Sequence, residues 1–153
     1  MTTQKQQAQP NQYTSRIIIK SLEGGGKHIF VRCSVGGTKS LMLIDTGCSN
    51  TVFDSSAEVF SGIRLHEVKG SDRNFSLNAS IDDVRVGKIK DFAIGRFSTP
   101  INRAVFISLE HINTLYETMI GERIVGILGS DFLRRYKAVI DFGKGNMTMI
   151  KSF

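Results

Sequence analysis

No apolar run in this chain is longer than about five residues, far short of the roughly 20 that a helix needs to cross a bilayer. No basic start leads into a hydrophobic segment either. Neither a secretory leader nor a membrane anchor is expected, and the protein is expected in the cytoplasm. Cysteine is scarce: Cys33 and Cys48 belong to no metal-ligand pattern. They are expected to be reduced thiols, with a disulfide as the alternative. His28, His66 and His111 are scattered, without i,i+4 spacing or accompanying cysteines, so no metal and no cofactor are expected. Acidic residues are outnumbered by 20 Lys and Arg to 14, a net charge of +6. That excess is spread along the chain and clusters only at Arg134-Arg135 with Lys137, the pattern of a solvated helix face. No aromatic-basic signature accompanies it, so neither nucleic acid nor membrane is expected as a partner.

Glycine, by contrast, is abundant. Fifteen glycines, many of them ending apolar runs, point to a β-rich fold with tight turns. A length of 153 residues with 41% apolar and 22% charged content fits one globular domain with a real core. Residues 1–15 are polar and Gln-rich and read as a disordered tail, leaving 16–153 as the domain.

Along the domain, Arg16 to Lys20 and His28 to Val35 are β-branched strands, and Gly36-Gly37 is a hairpin signal that returns the chain through Thr38 to Ile44. Residues 55–60 read as a helical turn capped by Asp54 or Ser55. Residues 65–78, around Gly70, form two weakly alternating segments. Val84 to Ile89 reads as a hairpin turning at Gly87-Lys88, and Ala104 to Ile107 as a buried strand. In 108–120 the period changes: Leu109, Ile112, Leu115, Tyr116, Met119 and Ile120 share a helical face, with Ser108 as cap and Gly121 as stop. Ile124 to Leu128 is a core strand. Ser130 is expected to cap a helix from about Asp131 to Tyr136, and a hairpin of Val139 to Phe142 with Met147 to Ile150 closes the chain.

Two stretches carry chemistry. Leu41-Met-Leu-Ile44 is a strand-length apolar run that ends in Asp45-Thr46-Gly47. An ionised, unpaired carboxylate at the end of a buried strand costs several kcal/mol, so such a placement marks a candidate functional acid. The competing explanation is an Asp that caps its own loop. The second stretch is Ile124-Val-Gly-Ile-Leu-Gly129-Ser-Asp-Phe-Leu133.

Together, in this order and followed by the terminal hairpin, the two stretches resemble the retropepsin-like aspartic proteases, the single-lobe relatives of pepsin, over roughly residues 28–150. The resemblance implies a mostly β, single-domain acid-protease fold of closed, barrel-like sheets with one or two short helices. It implies Asp45 as the catalytic carboxylate, Thr46 and Gly47 as its supporting loop, Gly129 as structure beneath that loop, and a substrate flap in 65–78 near Gly70. A plain surface hairpin is the alternative for that last segment. Cys48 departs from the small Ala or Ser usual after this motif.

A dyad needs two carboxylates and this chain has one Asp-Thr-Gly, so the expected active species is a C2 homodimer with an Asp45 from each subunit. It would hydrolyse peptide bonds of a peptide or protein substrate through an activated water. Two other readings compete. One is a catalytically silent dimerisation or peptide-binding module that keeps the motif as scaffold. The other is a nucleic-acid-binding domain.

Overall fold

In a computed structural model, residues 11–68 and 83–152 are described. Ten strands and two helices follow in order: β1 (Asn11–Ser21), β2 (Lys27–Val35), β3 (Thr38–Ile44), β4 (Val52–Asp54), β5 (His66–Glu67), β6 (Arg85–Ile94), β7 (Phe97–Ile107), α1 (Glu110–Ile120), β8 (Gly126–Leu128), α2 (Ser130–Arg135), β9 (Val139–Asp141) and β10 (Asn146–Lys151). The mostly β fold with two short helices is as expected. So is the closure. The sheet runs β6-β7-β4-β8-β3-β2, and β2 pairs with β6 again, closing a six-stranded ring. β1 leaves that ring halfway: Ile17–Ser21 pair with β2, while Asn11–Arg16 pair with β10, which also pairs with β9.

Strand β3 explains the ring's layering. Side chains alternate across a strand, and both faces of β3 are covered. Met42 and Ile44 join a cluster with Val31, Phe53, Phe92, Phe106 and Leu128. Leu41 and Leu43 join a second cluster with Phe30, Val52, Ile127, Leu109 and Tyr116. A strand buried on both faces reads as an unbroken apolar run, which is why Leu41 to Ile44 shows no alternation. Helix α1 supplies the cover on the second face through Leu109 and Tyr116.

Several local expectations need correction. The polar tail ends earlier than residue 15, because Asn11–Arg16 hydrogen-bond along β10. Gly87 is no turn: β6 continues through it, with a register shift against β7 between Gly87 and Ile89, and the reversal falls at Gly95, whose φ is +57°. A Cβ on Gly87 would lie 2.9 Å from Leu65 Cδ2 and 3.1 Å from the Arg64 carbonyl oxygen, so this glycine admits the segment before β5 against the sheet. The turn expected over 55–60 shrinks to a 3₁₀ turn at Glu58–Phe60 without a side-chain cap. Helix α2 starts one residue early, with Gly129 as its N-cap. On α1 the expected apolar face packs on the core through Leu109, Ile112, Tyr116 and Ile120, while Leu115 is 49% exposed and the polar Asn113 is buried beside that face. Gly121 does stop α1, in the left-handed region at φ +69°. The expected flap around Gly70 lies mostly outside the described residues.

Candidate active site

Asp45 directly follows β3, and its backbone is fixed by extension of the β3–β8 parallel ladder: the Asp45 N–H donates to the Leu128 carbonyl at 3.0 Å. The loop then folds back on itself. The Gly47 N–H donates to Asp45 Oδ1 at 2.9 Å, and the Cys48 N–H to the Asp45 carbonyl at 3.2 Å. In the single chain Asp45, Thr46 and Gly47 are exposed. In the single chain Asp45 is therefore not desolvated, and its carboxylate caps its own loop through the Gly47 amide. The Thr46 hydroxyl has no hydrogen-bond partner among the described residues.

Beneath the loop lies a cross-brace from β8 and α2. Gly129 passes so close that a Cβ there would sit 2.7 Å from the Cys48 carbonyl oxygen and 2.7 Å from the Asn50 carbonyl carbon. Only glycine permits that approach. The Ser130 N–H donates to the Cys48 carbonyl at 2.8 Å. The Thr51 hydroxyl accepts from the Gly129 N–H at 3.0 Å and donates to Asp131 Oδ1 at 2.7 Å. The same Asp131 oxygen accepts from the Thr51 and Phe132 backbone N–H groups, at 2.8 and 2.7 Å. Thr51 and Asp131 were not singled out from sequence. Asp131 occupies a variable position of the second motif, and its partner lies eighty residues away, so no local signal marks either.

A second missed element ties α1 to the same strand. Asp54, 1% exposed, accepts at Oδ1 from the Ser56 N–H and hydroxyl and the Leu109 N–H, and at Oδ2 from Asn113 Nδ2 at 3.0 Å. Asn113, fully buried, also donates to the Ile124 carbonyl at 3.0 Å and accepts from the Ile124 N–H at 2.7 Å. Asp54 was expected only as a possible cap of the 55–60 turn, which it does not cap. The four-donor cage around its carboxylate was not readable.

Both cysteines are free thiols. Cys48 donates to the Asn50 carbonyl at 3.1 Å. Burial pushes its thiol up, and the charges of Asp45 and Asp131 act in the same direction against the Asn50 bond. Burial pushes the Tyr116 phenol up to about 12, with Asp45 as the second cause, so the α1 phenol lies within the field of the site's carboxylate. Among the described residues no cluster of His, Cys, Asp and Glu could hold a metal. No described helix is long and apolar enough to cross a membrane. A cavity of about 1300 Å³ lies elsewhere, between residues 58–64, the β2–β3 turn and β6, and the Asp45 loop does not line it.

A family model described as aspartyl protease matches residues 31–132, which cover the Asp-Thr-Gly stretch and all of the second stretch but Leu133. Among solved structures, the retroviral protease-like domain of Ddi1 from Leishmania major is 13% identical with a TM-score of 0.48, covering 78% of this chain and 86% of its own. A retropepsin-like aspartic protease from Rickettsia conorii is 13% identical with a TM-score of 0.48, covering 95% of this chain and 98% of its own. A search of curated protein sequences found no match. On the strength of the family match across two thirds of its length, the chain belongs to the aspartyl protease family.

Proposed function

We propose that the protein is an aspartic endopeptidase whose active species is a homodimer, with Asp45 of each subunit meeting on the two-fold axis. The observation that carries this reading is the state of Asp45 in one chain. It stands exposed on a loop that is rigidly braced from below, with one Asp-Thr-Gly per chain, so half of a dyad is presented outward. A second copy related by a two-fold axis would complete it without any other acid. The Thr46 hydroxyl, without a partner among the described residues, is available to bond the neighbouring loop in the same arrangement.

The chemistry follows from the pair. Two carboxyl groups roughly 3 Å apart cannot both ionise, so they hold one proton between them. The ionised member takes a proton from water, which attacks the scissile carbonyl carbon. The protonated member donates to the carbonyl oxygen in the same step. Collapse of the tetrahedral intermediate, with proton transfer to the amide nitrogen, releases the two peptides. No cofactor enters. The substrate would bind extended, pairing its backbone as a strand does.

The test is cleavage of a diverse peptide pool between pH 4 and 7 by wild type and Asp45→Asn, with oligomeric state recorded for both. Cuts that disappear in the variant while the dimer persists are expected. A confirmed wild-type dimer that leaves the whole pool uncut would overturn the proposal and favour a silent dimerisation module.

A further inference from the structure

Strand β6 is fully paired on one edge and only partly on the other. On the first edge it follows β7 from Arg85 to Ile94, with register shifts between Gly87 and Ile89 and between Ile89 and Phe92. On the second it pairs with β5 at Arg85 and Val86, and with β2 at Phe92 and Ala93. No described strand lies beside the interval between those two pairings. Loops cover its ends. Ile63, Leu65 and the Arg64 carbonyl pack over Gly87, and the Gly36 N–H donates to the Asp91 carbonyl at 2.9 Å. Lys88, Ile89 and Lys90 remain as an open strand edge in an otherwise closed ring. Such an edge is a template for pairing with another chain.

The cavity of about 1300 Å³ opens on this edge. It exceeds the roughly 300–1,000 Å³ of a small-molecule pocket. At about 3.3 Å per residue the interval from Val86 to Phe92 runs about 20 Å, the length of a short extended peptide. Val35, Val59, Ile63 and Val86 give the cavity apolar walls. Four cations, Arg64, Lys88, Lys90 and Arg103, line it against two carboxylates, Glu58 and Asp91. Among the described residues Arg64, Lys88 and Lys90 form no ion pair. Ile89 is 1% exposed in the core, so the lysines on either side of it are presented outward. Backbone donors and acceptors, apolar walls and uncompensated positive charge therefore meet in one groove.

We infer that this groove is a second binding site, separate from the Asp45 loop, for an extended acidic peptide that adds a strand to the open edge of β6 and sets its carboxylates against Arg64, Lys88 and Lys90. Strand addition supplies affinity through the backbone, and the cations choose acidic side chains over neutral ones. A peptide suits the groove better than a nucleic acid does. Its alternate residues can turn apolar side chains to the valine and isoleucine walls, and it can place neutral residues beside Glu58 and Asp91, which a continuous phosphate backbone cannot. The inference needs neither the Asp45 carboxylate nor a dimer that cuts.

Nuclear magnetic resonance titration of ¹⁵N-labelled Asp45→Asn protein, which keeps every groove residue and lacks the proposed catalytic acid, decides it. Ac-Glu-Val-Glu-Val-Glu-NH₂ puts its carboxylates on one face of a strand. It should bind about tenfold more tightly than Ac-Gln-Val-Gln-Val-Gln-NH₂, the scale of two or three partly exposed charge pairs. Amide shifts should centre on residues 36–38, 58–64 and 88–90. Lys88→Gln combined with Lys90→Gln changes only exposed side chains and should remove most of that preference. The glutamate peptide N-methylated at every residue keeps its charges, cannot pair as a strand, and should not bind. Equal binding of the glutamate and glutamine peptides, shifts confined to the Asp45 loop, or undiminished binding of the methylated peptide would overturn the inference. So would displacement of the glutamate peptide by an equal concentration of a ten-residue oligothymidylate, which would give the groove to nucleic acid. A groove that binds the acidic peptide in a protein whose wild-type dimer cuts nothing would sink the peptidase reading and leave this one standing; cleavage with a silent groove would do the reverse.

Discussion

Replacing Asn113 with alanine should cost this protein far more than a polar residue on a short helix suggests. Its side chain makes three bonds in a fully buried setting: to Asp54 Oδ2 at 3.0 Å, to the Ile124 carbonyl at 3.0 Å and from the Ile124 N–H at 2.7 Å. Truncation removes one bond to a carboxylate, worth about 1.5–3 kcal/mol. It also strands the N–H and carbonyl of Ile124, itself 1% exposed, at about 1–3 kcal/mol for each group left unpaired. Local relaxation and water entry recover part of this, so we expect a loss of about 4 kcal/mol. For a chain of this size that is a fall in Tm of about 8–16 °C. Urea titration followed by circular dichroism measures it directly. A loss below about 1 kcal/mol would refute the argument that Asn113 carries this junction. Asn113→Asp keeps the shape but turns a donor into a second carboxylate against Asp54. Its deficit should be larger at pH 7 than at pH 5, because one of two abutting carboxyls then takes up a proton.

Four further outcomes follow from the same geometry. Thr51→Val, which leaves the Gly129 N–H without its acceptor and Asp131 without a hydroxyl donor, should cost about 2–3 kcal/mol by urea titration. Gly129→Ala should lower kcat/KM about 100-fold in a folded dimer, because its Cβ meets backbone at 2.7 Å and must displace the loop that carries Asp45; unchanged activity would show the loop tolerates the shift. Burial pushes the Cys33 thiol up to about 12, so a thiol reagent at pH 8 should label Cys48 alone in the native protein and both cysteines after unfolding. Arg32 holds Glu122 below its usual range, so the pair stabilises above the unfolded carboxylate range and that contribution is lost as pH falls through the lowered value. Both side chains are largely exposed, so Arg32→Ala should change stability by no more than about 0.5 kcal/mol at pH 7 and by less at pH 3.

What could be read from the sequence was what is encoded locally. The run Leu41–Ile44 and its Asp-Thr-Gly exit, the Gly36-Gly37 reversal and the Gly121 stop each depend on a few adjacent residues, and each stands where expected. Gly87 was misread because a glycine that admits a neighbouring segment looks, in sequence, like a glycine that turns. The apolar face of α1 is legible, but its buried asparagine is not, because an apolar template has no column for a polar residue whose partners are Asp54 and Ile124. The start of β1 was missed for a similar reason. Asn11 to Ser15 are polar, and what orders them is backbone pairing with β10 at the far end of the chain. Thr51 and Asp131 became visible as a brace once β8 and α2 were folded against the loop.

That brace has a bearing on when the protein can first work. Asp45 lies in the first third of the chain, but the groups that fix its loop are Leu128, Gly129, Ser130 and Asp131. The two parallel pairings within the ring, β3 with β8 and β4 with β7, also join distant segments, and such contacts form late and slowly. A growing chain that has emerged as far as residue 120 carries its acid and lacks its foundation. Any activity that depends on the Asp45 loop is therefore withheld until almost the entire domain has been made, so synthesis itself acts as a timer on the site.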